Sequence, residues 1–288
     1  MIGKWILSAW FFAGVTPGLA QAVAHATQTA RLFTVTEGRQ ANRFKLPQVQ
    51  LADAVAAERI NHRIVALVLD GATNSKLSVR QQLRQAERAC CYDGENGLGW
   101  NTVGQGLTGC DYSVLLNQQG LLSLEYSQEF TGAYSWEQAL HVTFDLRTGN
   151  QLALADLVAD LPAQLTRRMH GAISRRFGET LDGMRDEADS TDIATVAECF
   201  SWDWAAKRVR FQTDLGPTEE SRASEPDLES FALTSHEVRL YYERMLPHVM
   251  LNYEPDNAYH FPYARVQPRG LLAPVAAKDA AAKKTKVK

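Results

Sequence analysis

Residues 112–157 read YSVLLNQQGLLSLEYSQEFTGAYSWEQALHVTFDLRTGNQLALADL, and this stretch decides the fold class. Apolar and polar residues alternate in three runs, at residues 112–116, 122–130 and 140–146, which is the period of strands that bury one face. The runs are separated by turn-forming residues such as Gly120 and Gly149. Because strands on short connections pair antiparallel, the stretch predicts an antiparallel meander.

Helices accompany the predicted sheet. Apolar residues recur at helical spacing in residues 51–69, 78–89 and 162–177. Ser78 and Pro162 stand where helices favour an N-cap and a first-turn proline. Further strand patterns occur at residues 231–233, 238–242, 249–253 and 259–266. The sequence therefore predicts an α+β fold, with antiparallel sheet and packed helices in two intimately associated lobes.

The chain begins with the features of an export signal. Residues 1–26 contain Lys4, an apolar run and then small residues around Ala20 and Ala22, where cleavage is expected. The alternative, a single N-terminal membrane anchor, is disfavoured because the run is shorter than the ~20 residues that a span needs. We expect a soluble periplasmic or secreted protein of the bacterial envelope, with no membrane span after cleavage.

The rest of the chain is long enough for one large α+β domain. We place this domain at residues 27–273, with a first lobe at about 44–160 and a second at about 161–273. Residues 274–288 are rich in lysine, and we expect them to form a disordered basic tail.

The charge of the domain is acidic. After residue 26 there are 29 basic and 33 acidic residues, and without the last eleven residues the numbers are 24 and 32. The body thus carries a formal charge of about −8, which argues against nucleic acid and against an anionic membrane as partners.

Four cysteines are present, and an even number in an exported chain suggests disulfides. We expect Cys110 to pair with Cys90 or Cys91, closing a glycine-rich loop worth roughly 3 kcal/mol in the chain-entropy model. The remaining vicinal cysteine would then face Cys199. A metal site is disfavoured because cysteines and histidines do not occur at ligand spacing, and we expect no cofactor.

Sequence motifs of catalysis are largely missing. Residues 104–109 match the pattern G-x-G-x-x-G, but they lead into a predicted strand, so a pyrophosphate would find no helix N-terminus. His260 has Glu254 and Asp256 nearby and is the best candidate for a general base. Glu125 and Glu129 share one strand face, which a solvated outer face explains and which glycan hydrolysis could also use.

The best candidate for a binding site is the loop at residues 131–136, TGAYSW, where Gly132 precedes two large aromatic residues. Tyr134 and Trp136 supply large contact area at low entropic cost, which favours them at recognition sites. The alternative is that both rings fold back over the sheet edge. We include Glu125 and Glu129 in the predicted binding surface.

Four segments carry a resemblance to a known family. They are INHRI at residues 60–64, the hairpin and loop at residues 121–134, FDLRTGNQLALADL at residues 144–157, and FALTSHEVRLYYE with FPYARV near the end. Together they resemble an exported bacterial domain of unknown function, found in RsiV-like lysozyme-sensing anti-sigma factors and ahead of some peptidoglycan deacetylase domains. The chain departs from that family at Tyr134, where histidine is frequent, and in having one glycine, Gly132, where the family commonly has two.

The resemblance implies an α+β fold, a cell-envelope setting and binding rather than catalysis. Together with the acidic charge, it leads us to expect a non-enzymatic domain that engages a protein such as a lysozyme-like cell-wall enzyme. Two alternatives stay open: an envelope enzyme that modifies or hydrolyses peptidoglycan with carboxylates near the hairpin at residues 121–137, and a structural accessory subunit.

Overall fold

The protein is represented by a computed structural model, which describes residues 28–39, 44–69, 74, 76–94, 97, 99–100, 104–186, 188–212, 223–243 and 246–286. The predicted signal peptide at residues 1–26 lies outside this part of the chain. The α-helices are α1 (Ala54–Val68), α2 (Val79–Cys91), α3 (Leu154–Leu157), α4 (Pro162–Gly183), α5 (Ser190–Cys199) and α6 (Leu272–Lys286). In the described residues, no helix combines the length and the apolar character needed to cross a membrane.

The strands follow the same chain order. They are β1 (Arg31–Glu37), β2 (Phe44–Gln50), β3 (Tyr92–Asp93), β4 (Gly99–Trp100), β5 (Gly106–Gln118), β6 (Leu121–Thr131), β7 (Ser135–Asp145), β8 (Trp202–Asp203), β9 (Arg208–Val209), β10 (Phe231–Leu233), β11 (Glu237–Tyr241) and β12 (Ala258–Pro262). Short 3-10 helices occupy Met184–Asp186, His248–Tyr253 and Tyr263–Arg265. The fold is α+β, as predicted.

The main sheet has five strands in the order β1-β2-β5-β6-β7. The predicted meander is confirmed as β5, β6 and β7, which pair antiparallel. Gln119 and Gly120 both have positive φ angles, of 55° and 78°, as a two-residue hairpin turn with the twist of its strands requires. Strand β2 joins the meander by a parallel pairing of Phe44 with Cys110.

One face of this sheet forms the first hydrophobic cluster. Leu122, Leu124 and Tyr126 of β6 point to this face and are completely buried, because α1 covers it with Ile60 and Ile64.

The turn after β7 packs directly onto helix α1. A Cβ atom on Gly149 would lie 2.4 Å from the Ala56 carbonyl oxygen, and the φ angle of Gly149 is +72°, so only glycine fits there.

The second hydrophobic cluster lies on the other side of the sheet. It combines the apolar stripe of α4, including Met169, Ile173 and Phe177, with α5 and the three-stranded sheet β10-β11-β12. Leu121 of β6 packs into it from the main sheet. The buried Ser123 hydroxyl joins the two sheets, since it accepts hydrogen bonds from the Leu233 amide and the Thr143 hydroxyl, both at 3.0 Å.

Two sequence predictions about local structure are wrong, and one strand was not predicted. Residues 31–37 form strand β1 of the main sheet, inside the domain predicted from residue 27 but ahead of the predicted start of the first lobe at about residue 44. The expected strand at residues 249–253 is part of a 3-10 helix.

The second error concerns the tail expected to be disordered from residue 274 onward. Residues 274–286 belong to helix α6, in which Leu272, Val275 and Asp279 recur at helical spacing and are buried.

Candidate functional site

The tip of the β6–β7 hairpin presents aromatic rings to solvent. Phe130 and Trp136 are cross-strand partners whose rings stack with centroids 5.1 Å apart. Tyr134 is 69% exposed and Trp136 is 47% exposed. The alternative that both rings cover the sheet edge is therefore wrong for Tyr134, and Trp136 lies flat on Phe130 with half its surface accessible.

Gly132 shapes this tip less than the sequence pattern indicates. Its φ angle is not positive, and a Cβ atom there would lie 3.5 Å from Trp136 Cζ3, which is ordinary van der Waals contact. The loop is closed by a hydrogen bond of 3.1 Å from the Gly132 amide to the Tyr134 carbonyl. The structure places Gly132 at the site but does not require glycine there.

A groove of about 1130 Å³ opens beside the hairpin tip. One wall is the outer half of β6 and β7, with Phe130, Tyr134 and Trp136. The other wall comes from Glu243, Leu246, Leu251, Glu254 and Asn257. Leu251 is 45% exposed and gives this wall an apolar patch. The sequence alone did not indicate this second wall, because it lies more than a hundred residues away along the chain.

Four carboxylates line the same groove: Glu129 and Glu137 on the hairpin, and Glu243 and Glu254 on the opposite wall. None of the described residues that line it is a lysine or an arginine. Glu129 and Glu137 stand directly opposite each other in the β6–β7 pairing, a position where like charges destabilise a sheet. The groove thus concentrates negative charge beside the hairpin tip, while strand alternation places the stacked Phe130 and Trp136 rings on the other face of the sheet from Glu129 and Glu137.

The opposite wall is also negatively charged, with Glu243 and Glu254 close enough to affect each other. Partial burial and the neighbouring Glu243 carboxylate raise the pKa of Glu254 above its usual value. Glu243 itself accepts a hydrogen bond of 2.9 Å from the Asn257 side-chain amide. A cation in the groove would relieve the repulsion on both walls, so the site favours a positively charged ligand.

Glu125 does not line this groove, and its predicted part in binding stays a prediction. Its carboxylate contacts His141 Nε2 at 3.1 Å and accepts a hydrogen bond of 3.4 Å from the Tyr241 hydroxyl. The pKa of Glu125 is lowered, mainly because its carboxylate is hydrogen-bonded to His141. The His141 ring stacks on Tyr241 with centroids 3.5 Å apart. Glu125 therefore joins β6 to β11, whereas Glu129 is exposed in the groove.

The cysteines do not pair as predicted. The disulfide joins Cys90 to Cys91 at the end of α2, so neither of them is bonded to Cys110 or Cys199. Cys110 is a free, buried thiol in the first hydrophobic cluster, where its Sγ contacts the Lys45 carbonyl at 3.6 Å. Burial raises the pKa of the Cys110 thiol to about 12. The glycine-rich loop is thus not closed by a disulfide to Cys110.

Two other candidates from the sequence, the glycine motif at residues 104–109 and His260, take part in contacts that hold the fold together. The G-x-G-x-x-G match at residues 104–109 runs into strand β5. His260 contacts Glu237 Oε1 through Nδ1 at 2.8 Å, instead of the expected Glu254 or Asp256. Among the described residues, no group of three or more histidine, cysteine, aspartate or glutamate side chains is placed to hold a metal ion.

The comparisons with known proteins concern the fold. The chain matches no family model and no curated protein. Its fold is similar to the crystal structure of a DUF3298 family member from Bacteroides fragilis, with a TM-score of 0.50 and 14% identity over 89% of this chain and 99% of the other. A DUF3298 family protein from Pseudomonas aeruginosa gives a TM-score of 0.47 and 15% identity over 86% and 98% of the two chains.

At these identities the likeness shows the fold alone. The chain has the α+β fold of a bacterial domain of unknown function, in agreement with the coarse form of the predicted resemblance. The link to RsiV-like proteins and to deacetylases stays a prediction.

Proposed function

We propose that the protein is an exported, non-enzymatic binding domain of the bacterial cell envelope, whose acidic aromatic groove engages a basic protein surface. The observation that carries this proposal is the composition of the groove. Three aromatic and four acidic residues line it from the two faces of the hairpin tip and the opposite wall, without a lysine or arginine among its described lining residues. We call this surface, defined by Phe130, Tyr134, Trp136 and Glu129, Glu137, Glu243 and Glu254, the acidic groove.

Both components of the acidic groove suit protein recognition. Exposed tyrosine and tryptophan are the residues that most often dominate binding energy, since they bury large areas at low entropic cost. Carboxylates of one sign steer a partner of opposite charge and raise the association rate. The formal charge of the body, about −8 without the signal and the tail, extends this field over the surface.

A lysozyme-like cell-wall enzyme is the partner that we propose. Two sequence features support it: the N-terminal residues have the pattern of an export signal, and the hairpin and turn motifs resemble those of lysozyme-sensing envelope domains. Lysozyme-type enzymes carry basic surfaces, which complement the acidic groove.

The test uses a basic lysozyme as the probe and measures its affinity by calorimetry at low and at high salt. We expect Trp136→Ala to weaken binding at least tenfold, because a buried tryptophan anchor contributes roughly 2 kcal/mol or more. Trp204→Ala is the matched control, since Trp204 is 50% exposed and lies outside the acidic groove. The proposal fails if lysozyme and the basic proteins of the periplasm do not bind, or if both variants behave alike.

A second candidate function is hydrolysis or modification of peptidoglycan. One observation favours it: the raised pKa of Glu254 is a property of general acids, and carboxylates face it across the groove. Glu125, the residue that the sequence pointed to, is held by His141 and Tyr241 and has a lowered pKa, so it is not suited to that role. Turnover of cell-wall fragments that is lost in Glu254→Gln would establish the enzyme and displace the binding domain.

A further inference from the structure

The outer edge of β7 bears backbone groups that pair with no strand in the described part of the chain. β7 is the last strand in the order of the main sheet. Only its end is covered, where the Leu152 amide donates to the Thr143 carbonyl at 2.8 Å and the Asp145 amide donates to the Asn150 carbonyl at 2.9 Å. The part of β7 next to the acidic groove has no such cover among the described residues.

The same hydrogen bonds reveal which residues face outward. In an antiparallel strand the amide and carbonyl of one residue point to the same side, and the side alternates along the chain. Thr143 and Asp145 face the outer edge, and β7 pairs with β6 without a register shift. Glu137, Ala139 and His141 therefore also direct their amides and carbonyls outward.

This open stretch lacks the devices that protect sheet edges. Exposed edges in natural proteins carry lysine, proline or a β-bulge that prevents another strand from adding. Residues 135–141 read SWEQALH, with neither lysine nor proline, and the regular register excludes a bulge. Its one carboxylate is Glu137, which attracts a basic strand and repels an acidic one.

The open edge and the acidic groove are continuous. Ser135, Trp136, Glu137 and Gln138 belong to the edge and also line the groove. A strand added beside β7 would alternate its side chains between the two faces of the sheet. Every second side chain would lie on the face of Glu137 and Glu129, toward the carboxylates of the opposite wall, and the others would lie on the face of Trp136.

We propose that the edge of β7 binds an extended segment of the partner by β-strand addition, with lysine or arginine at every second position on the carboxylate face. This inference rests on the proposed function, because it uses the same groove. A second copy of the chain is a poorer occupant, since pairing two β7 edges would bring two acidic grooves together.

The experiment uses the peptide acetyl-(Lys-Val)4-amide as the probe and follows backbone amides of the protein by NMR. We expect the amides of Glu137, Ala139 and His141 to exchange with solvent rapidly in the free protein. The probe should slow them at least tenfold, whereas the amides of Trp136 and Gln138 are protected in both states. The peptide acetyl-(Glu-Val)4-amide is the matched control and should have no effect.

Two modifications test the backbone hydrogen bonds themselves. Ala139→Pro removes an outward amide and should weaken binding about tenfold, whereas Ala139→Ser keeps the amide and should bind as the parent protein does. A probe N-methylated at alternate residues gives the same test without changing the protein: methylation in one register should abolish binding, and methylation in the other should not.

Three results would overturn strand addition: no binding of the basic probe at millimolar concentration, equal binding of all N-methylated probes, or protection that increases with protein concentration without any probe. The last would assign the edge to a second copy. If lysozyme binds in a Trp136-dependent way while the three outward amides stay unprotected, the binding function stands and strand addition is refuted.

Discussion

Removing one charge from the Glu129–Glu137 pair should stabilise the protein and weaken its binding to a basic partner. The two residues are opposite each other in the sheet and both are exposed. For carboxylates roughly 6 Å apart in water, Coulomb repulsion is ~0.7 kcal/mol, and screening at 0.1 M salt reduces it to ~0.4 kcal/mol. Glu137→Gln keeps the shape and hydrogen-bonding capacity of the side chain but removes this repulsion.

The expected change is an increase of ~0.4 kcal/mol in the free energy of unfolding at 0.1 M salt, or roughly 1 °C in Tm. At 1 M salt the Debye length is about 3 Å, so the increase should fall to ~0.1 kcal/mol. Urea denaturation of the parent, both single variants and the Glu129→Gln/Glu137→Gln double variant gives the coupling energy directly. The affinity for a basic lysozyme is measured on the same four proteins.

Glu58→Gln on the exposed surface of α1 is the control for removal of any negative charge. It should leave stability almost unchanged and weaken lysozyme binding less than Glu137→Gln does. The reasoning is refuted if Glu137→Gln lowers stability, if the coupling energy is zero at low salt, or if lysozyme binds all variants equally.

Three further predictions concern the parts of the structure that differ from expectation. Leu272→Ala should lower the free energy of unfolding by about 2–4 kcal/mol, because Leu272 is fully buried, whereas Lys278→Ala on the exposed side of α6 should change little; equal small effects would mean that the tail is unfolded. The pKa of Glu125 is lowered in the folded state, so the stability advantage of the parent over Glu125→Gln should be present at pH 7 and should decline as the pH falls below about 4.5; an advantage that is constant down to pH 3 would contradict this. Because burial raises the pKa of Cys110 to about 12, iodoacetamide at pH 8 should label it only after unfolding, and peptide mapping that showed Cys110 joined to Cys90 or Cys91 would contradict the structure.

Local periodicity was sufficient to predict the meander and the helices that cover it. The alternation through Leu122, Leu124 and Tyr126 correctly predicted a strand, because one face of β6 is buried against α1 along this stretch. Ser78 caps α2 as predicted, with its hydroxyl accepting from the Gln81 amide. In these segments the sequence pattern and the tertiary contacts agree.

The wrong predictions fall in segments whose secondary structure depends on contacts with residues distant in the sequence. Strand β1 was missed although residues 31–37, RLFTVTE, include the strand-forming Phe33 and Val35, and the structure pairs them with β2 around Thr34 and Pro47. Residues 249–253 alternate like a strand, yet Val249 is 78% exposed, and the segment forms a 3-10 helix. The spacing of Leu272 and Val275 was a readable helix signal that the following lysines obscured.

The sequence predicted the hairpin side of the candidate site but not the opposite wall, because that wall is brought to the hairpin by long-range packing. Tyr134 and Trp136 stand out in the sequence as large aromatic residues in a hairpin loop. Glu243 and Glu254 complete the acidic groove from another part of the chain, and their role follows only from the packing of the two sheets. For Glu125, alternation gives the face of the strand, but it does not reveal that the Tyr241 hydroxyl bonds to the carboxylate on that face.

The hydrogen bond between the Ser123 hydroxyl and β10 bears on how fast a partner can bind. It holds the Leu233 amide, and Glu125 holds the Tyr241 hydroxyl two residues further along β6, so the β10-β11 pair is fastened to the main sheet at two points. The second wall of the groove begins at Glu243, two residues after β11 ends at Tyr241. Since Glu243 of the second wall follows a strand that is fastened to the main sheet, we expect the site to exist before any partner arrives. Complex formation should then follow a single bimolecular phase whose rate rises linearly with partner concentration, without the plateau that a slow opening step would impose.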